Sequence, residues 1–128
     1  MERKIIQTDE APAAIGPYQQ AIQMGNFLFS SGQIALDPKT GKFLAGEIEQ
    51  ETERTLKSIE AILTAAGLTL EHVVKANVYL TDLGDFSRMN AIYEKFFSKS
   101  KPARACVQVA ALPKGAKVEI DVIAATGT

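Results

Sequence analysis

The residues best suited to chemistry lie near the C-terminus, in two short alternating runs. In Arg104-Ala105-Cys106-Val107-Gln108-Val109 and Lys117-Val118-Glu119-Ile120-Asp121-Val122, polar and apolar side chains change places at every step, the period of a β-strand. Arg104, Cys106 and Gln108 then share one face, with Ala105, Val107 and Val109 on the other. In the second run Val118, Ile120 and Val122 make the apolar face, opposite Lys117, Glu119 and Asp121. If both apolar faces meet the core, Arg104, Cys106 and Glu119 point together into the layer away from it. The planar guanidinium of Arg104 would offer two parallel donors to a small carboxylate. An ionised Glu119 would hold a water or accept its proton, and Cys106 would contribute either its thiol or its backbone groups. Each residue also has an ordinary structural use. On spacing alone Arg104 and Glu119 more commonly form a cross-strand ion pair, and Cys106 a small buried residue. Tyr18, after Gly16-Pro17, suits an aromatic packed beside a turn, and Asn90 a polar helix position. Ser31-Gly32 suits a strand bend in which Gly32 avoids a side-chain clash. His72, in a polar run, reads as a solvated loop residue.

The rest of the composition narrows the chemistry. The chain has one His and one Cys, so it cannot assemble the usual zinc sets of His and Cys ligands. A Ser-His-Asp arrangement could use only His72. Neither GxGxxG nor GxxxxGK[ST] occurs, so no dinucleotide or P-loop fingerprint is present. Carboxylates, Arg, Tyr, hydroxyls, backbone groups and water remain, and no metal or cofactor is expected. The formal net charge is -1, and no Lys/Arg cluster carries interleaved aromatics, so nucleic acid and anionic membrane are not expected partners. The apolar runs are too short to cross a membrane. The opening MERKIIQTDE lacks the apolar stretch of a secretory signal and carries acidic residues foreign to a transit peptide. One cysteine precludes an intrachain disulfide and fits a reducing compartment; the expected location is cytoplasmic. A length of 128 residues suits a single domain, 1–128, around one core.

Several elements must hold these residues. Residues 19–24 and 27–34 read as strands joined at Gly25-Asn26, a dipeptide suited to a tight hairpin. Asp37-Pro38-Lys39-Thr40-Gly41 is a turn. From Glu47 to Ala66, Ile48, Leu56, Ile59, Ile62, Leu63 and Ala66 recur at helical spacing, with acidic residues at the start and Gly67 at the C-cap. VVKANVYL, 73–80, is rich in β-branched residues and predicts a strand. Asp85 can cap a second helix with Phe86, Met89, Ile92, Tyr93 and Phe96 on one side. Strands follow at about 103–109 and 117–125, separated by Leu112-Pro113-Lys114-Gly115. Two helices covering one face of a single sheet give an α+β layer; the other sheet face is left to solvent or to another copy of the chain.

The segment PARACVQVAALPKGAKVEI, 102–120, closely resembles the signature of the RidA, or YjgF, family of reactive intermediate deaminases. AIGPYQQA at 14–21, SSGQIALDPKTG at 30–41, VVKANVYLTDLGDF at 73–86 and MNAIYEKFF at 89–97 resemble family segments in family order. The resemblance implies a chorismate-mutase-like α+β fold with a single mixed sheet, assembled as a homotrimer with ligand sites in the clefts between subunits. The implied activity is cofactor-free hydrolysis of 2-imino acids, such as 2-iminobutanoate and 2-iminopropanoate, to 2-keto acids and ammonia. Arg104 then matches the arginine that binds the substrate carboxylate, and Glu119 the acid that positions the attacking water. Tyr18 matches a tyrosine reached across the subunit interface; Ser31, Gly32, Asn90 and Cys106 match positions lining the pocket. Gln19 stands where many members carry Ser. The same pocket would also serve a non-catalytic sensor of keto acids, and endoribonuclease, translation-inhibitor and holdase activities are attributed to members of the family.

Overall fold

A computed structural model describes residues 2–127. A six-stranded mixed sheet carries two helices on one face. The strands are β1 (Arg3–Ile6), β2 (Ala21–Met24), β3 (Phe27–Ser30), β4 (Val73–Leu80), β5 (Ala103–Gln108) and β6 (Val118–Ala125), in the spatial order β1-β2-β3-β6-β4-β5. Only β4 and β5 run parallel, and the helix between them supplies the long crossover that a parallel pair needs. No helix among the described residues is long and apolar enough to cross a membrane.

Helix α1 (Ile48–Ala65) begins with a capping box in which the Gln50 side chain accepts from the Glu47 N–H at 2.8 Å. It ends as the sequence predicts. Gly67 turns at φ +76°, and the N–H groups of Gly67 and Leu68 reach the carbonyls of Thr64 and Leu63. Helix α2 (Phe86–Phe97) starts differently from expectation. Asp85 makes no side-chain cap; Asp82, three residues earlier, accepts from the Gly84 N–H at 2.8 Å and shapes the turn that leads into the helix.

The core lies between the helices and one sheet face, where Leu56, Ile59, Ile62, Leu63, Met89 and Phe97 meet Leu28, Ala76, Val78, Leu80, Val118, Ile120 and Val122. The opposite face is open and partly apolar. Ile5, Phe27, Phe29 and Val107 are large hydrophobics exposed there, each by about half.

Three further sequence expectations change. The strand over 27–34 ends at Ser30, because the chain bends at Ser31-Gly32 and rejoins the sheet only through a bridge from Gln33 to Ile120. A first strand, β1, pairs with β2 in a segment too short and too charged to show periodicity. The third change concerns the C-terminal strands. Ala76 of β4 lies opposite both Arg104 and Val122, and Val78 opposite both Cys106 and Ile120. Paired residues share a face, so Arg104 and Cys106 lie on the helix side. Glu119, opposite Tyr79, lies on the open side. The two strands therefore do not send Arg104, Cys106 and Glu119 into one layer, and no Arg104–Glu119 ion pair exists among the described residues.

Candidate active site

The chemistry-bearing residues gather in two places, one on each side of the sheet. The first is built on α2 and the edge strand β5. Phe86, Asn90 and Tyr93 fall at positions i, i+4 and i+7 of α2, hence on one helix face, and all three meet Arg104. The Asn90 Oδ1 accepts from Arg104 Nη1 at 2.6 Å. The guanidinium carbon sits 4.7 Å from the Tyr93 ring centre and 5.3 Å from that of Phe86, within cation–π range. One helix face thus holds the guanidinium in a fixed attitude and leaves most of its donors free. A cavity of about 430 Å³ opens beside it, lined by Asn90, Tyr93, Ser98, Lys101 and Arg104 among others.

Cys106 is half-buried against the core, one pair along from Arg104. Burial pushes its thiol up, only partly countered by the Arg104 charge, so at neutral pH it is a protonated thiol rather than a nucleophile. Tyr93 is also pushed up by burial, against the pull of Arg104.

The second place lies on the open side, where β6 meets the loops after β1 and β3. The pairing of Gln33 with Ile120, with N–H···O distances of 2.9 and 3.1 Å in the two directions, lays the 31–33 bend over Glu119. Gly32 leaves the Glu119 carboxylate its place, because a β-carbon there would overlap it. Ser31 is engaged structurally. Its Oγ donates to the Gln19 carbonyl at 2.5 Å, and its N–H donates to the Gln20 carbonyl at 2.9 Å. Gln20, itself buried, accepts from the Thr8 N–H and donates to the carbonyls of Thr8, Ala11 and Pro12. These bonds fix the loop that presents Tyr18, which is about half exposed. Tyr18, Gly32, Lys114 and Glu119 line a cavity of about 200 Å³. Burial raises the Glu119 carboxyl above its ordinary range, and the neighbouring Asp121 raises it further.

The expected residues therefore divide. Arg104, Asn90 and Cys106 form one group; Tyr18, Ser31, Gly32 and Glu119 form the other. Sequence reasoning did not assign a role to Tyr93 and Phe86, read there only as apolar helix positions, nor to Asn77, Tyr79 and Gln20. The i, i+4, i+7 spacing of Phe86, Asn90 and Tyr93 was a usable signal, once Arg104 is known to face the helix. Among the described residues, no group of His, Cys, Asp or Glu could hold a metal ion.

Comparison with known proteins gives a consistent picture. The family model described as Endoribonuclease L-PSP matches residues 8–126. The chain is 49% identical over 125 residues to a mouse (Mus musculus) protein named 2-iminobutanoate/2-iminopropanoate deaminase, covering 98% of this chain and 93% of that one. It is 52% identical over 126 residues to Protein DfrA of Myxococcus xanthus, covering 97% and 96%. Among solved structures, the YjgF gene product of E. coli superposes with a TM-score of 0.91 at 45% identity, over 97% of this chain and 99% of that one. E. coli TdcF with bound serine gives a TM-score of 0.91 at 43% identity, with the same coverage. Matches of this length and identity place the chain in the Endoribonuclease L-PSP family, also called the YjgF/RidA family.

Proposed function

We propose that the protein is a cytoplasmic, single-domain imine deaminase that hydrolyses small 2-imino acids to 2-keto acids and ammonia, in a homotrimer whose sites each join two copies. The observation that carries this reading is the split of the site. A preoriented guanidinium faces one side of the sheet, and a carboxylate of raised proton affinity faces the other. One chain cannot bring both to one small ligand, whereas a neighbouring copy packed on the partly apolar open face can. The relatives named 2-iminobutanoate/2-iminopropanoate deaminase support the reaction, and the serine held by TdcF supports a ligand of amino-acid size.

In the proposed reaction Arg104 takes the substrate carboxylate in a bidentate grip and so fixes the imine carbon, a gain from proximity and orientation. Glu119 of the other copy accepts a proton from water as the water oxygen bonds to that carbon. That proton passes to the nitrogen, giving a carbinolamine; Glu119 then carries the hydroxyl proton to the same nitrogen, and the carbon–nitrogen bond breaks as the carbonyl forms and ammonia leaves. Imines hydrolyse readily in water, so positioning and one proton acceptor suffice, with the Cys106 thiol left as lining. Tyr18, Ser31 and Gly32 shape the wall around Glu119, and Asn90 holds Arg104.

The test couples the protein to a threonine dehydratase acting on threonine and follows 2-ketobutyrate before free imine decays. Accelerated formation, abolished by Arg104→Ala with the fold intact, is expected. No acceleration would leave a keto-acid sensor as the reading of the same pocket. The endoribonuclease of the family description finds no support in the sequence, which has a formal net charge of -1 and no Lys/Arg cluster with interleaved aromatics. RNA association is therefore expected to be weak and insensitive to salt.

A further inference from the structure

Beside Glu119 on the open face stands a second carboxylate that the proposed reaction does not use. Asp121 is two residues along β6, about 7 Å away on the same face. It is fixed from the neighbouring strand: Asn77 Nδ2 donates to Oδ1 at 2.8 Å, and the Tyr79 hydroxyl donates to Oδ2 at 3.2 Å. Asn77 is paired with Asp121, and Tyr79 with Glu119. The four residues thus form a square on the sheet, with both carboxylates on β6 and both donors on β4.

We propose that Asp121 is a positioning residue that acts through Glu119, as a fixed neighbouring charge that makes the Glu119 carboxylate a better proton acceptor. The inference rests on Glu119 as the base of the proposed reaction. Two donors hold Asp121 where it stands, so its charge cannot swing away when Glu119 ionises. The surroundings allow this role. Tyr79 keeps its proton, because burial first and Asp121 second push its phenol up. Lys117, the preceding residue of the same parity, is occupied at Gly46 and Glu51 on another side. Lys75 lies beyond Asn77, opposite Ile123. Lys114 and Tyr18 share the cavity with Glu119, and a second copy would add Arg104. Burial first and Asp121 second oppose the charged carboxylate, while the Arg104 of a second copy would favour it. A general base works best when its proton affinity lies near the working pH.

The test reads Glu119 directly. Protein labelled with 13C at its glutamate carboxyls is titrated by NMR, with the Glu119 signal assigned by its loss in Glu119→Gln. In the wild type it should titrate above the ordinary glutamate range. In Asp121→Asn and Asp121→Ser, two neutral replacements of different shape, the midpoint should move to lower pH, while Asp121→Glu should largely keep it. The acid limb of kcat/KM for imine hydrolysis should move with it. An unmoved midpoint in either neutral variant overturns the inference. A midpoint that moves while the rate profile does not would instead remove Glu119 from the reaction. The two failures are thus distinct.

Discussion

Gly32 and Glu119 give the sharpest expectations at the scale of single residues. A methyl group at position 32 meets the Glu119 carboxylate and, less closely, its γ-carbon, all on one flexible side chain that can move aside. Gly32→Ala should therefore fold with a melting temperature near wild type yet lose most of its deaminase activity, a combination read by pairing thermal unfolding with the coupled assay. Glu119 carries a sign as well. Its folded-state proton affinity is raised, so the native protein binds more protons than the unfolded chain in the window above the ordinary glutamate range. Stability from this group is present below that window and is lost as pH rises through it. Glu119→Gln should abolish this loss and unfold at higher temperature than wild type at neutral pH, even as it loses activity. Cys106, a protonated thiol packed on the core, should tolerate Cys106→Ala with the greater part of the rate retained.

Among the elements, α2 matters most, because it is the socket for Arg104. Tyr93→Leu keeps bulk against the core and removes the cation–π contact, worth about 1 kcal/mol. The Michaelis constant should rise about fivefold with a smaller change in kcat; an unchanged KM would show that the ring does not orient the guanidinium. The elements also show what the sequence could and could not reveal. Both helices were legible, since Leu56, Ile59, Leu63 and Met89, Tyr93 recur at helical spacing, and Gly67 marks a stop that only a positive φ explains. The hairpin at Gly25-Asn26 was legible for the same kind of reason. The face of β5 was not. Alternation shows that Ala105 and Val107 lie opposite Arg104 and Cys106. It does not show which layer receives them, and here the layer away from the helices is itself partly apolar, with Phe27, Phe29 and Ile5 exposed in it. Small apolar residues could satisfy either side. The site residues were therefore named from sequence, but their division between two faces needed the β4–β5 and β4–β6 registers.

For the whole molecule, the divided site makes complementation the decisive experiment. Arg104→Ala and Glu119→Gln chains are each expected to be inactive alone. Unfolded and refolded together, they should form mixed trimers in which one cleft joins an intact Arg104 to an intact Glu119. A one-to-one mixture should recover about a quarter of the wild-type activity if copies assort at random in rings of three. A solution mass of one chain, or no recovery on mixing, would undo the shared site. Strand β6 follows the other five in the order of the described residues, yet it is seated between β3 and β4. During synthesis, two partial sheets, β1-β2-β3 and β4-β5, must wait with open edges until residues 118–125 leave the ribosome. The strand that closes the gap is also the strand that carries Glu119. A chain ended before residue 118 thus lacks at once the strand that joins the two partial sheets and the residue proposed as proton acceptor.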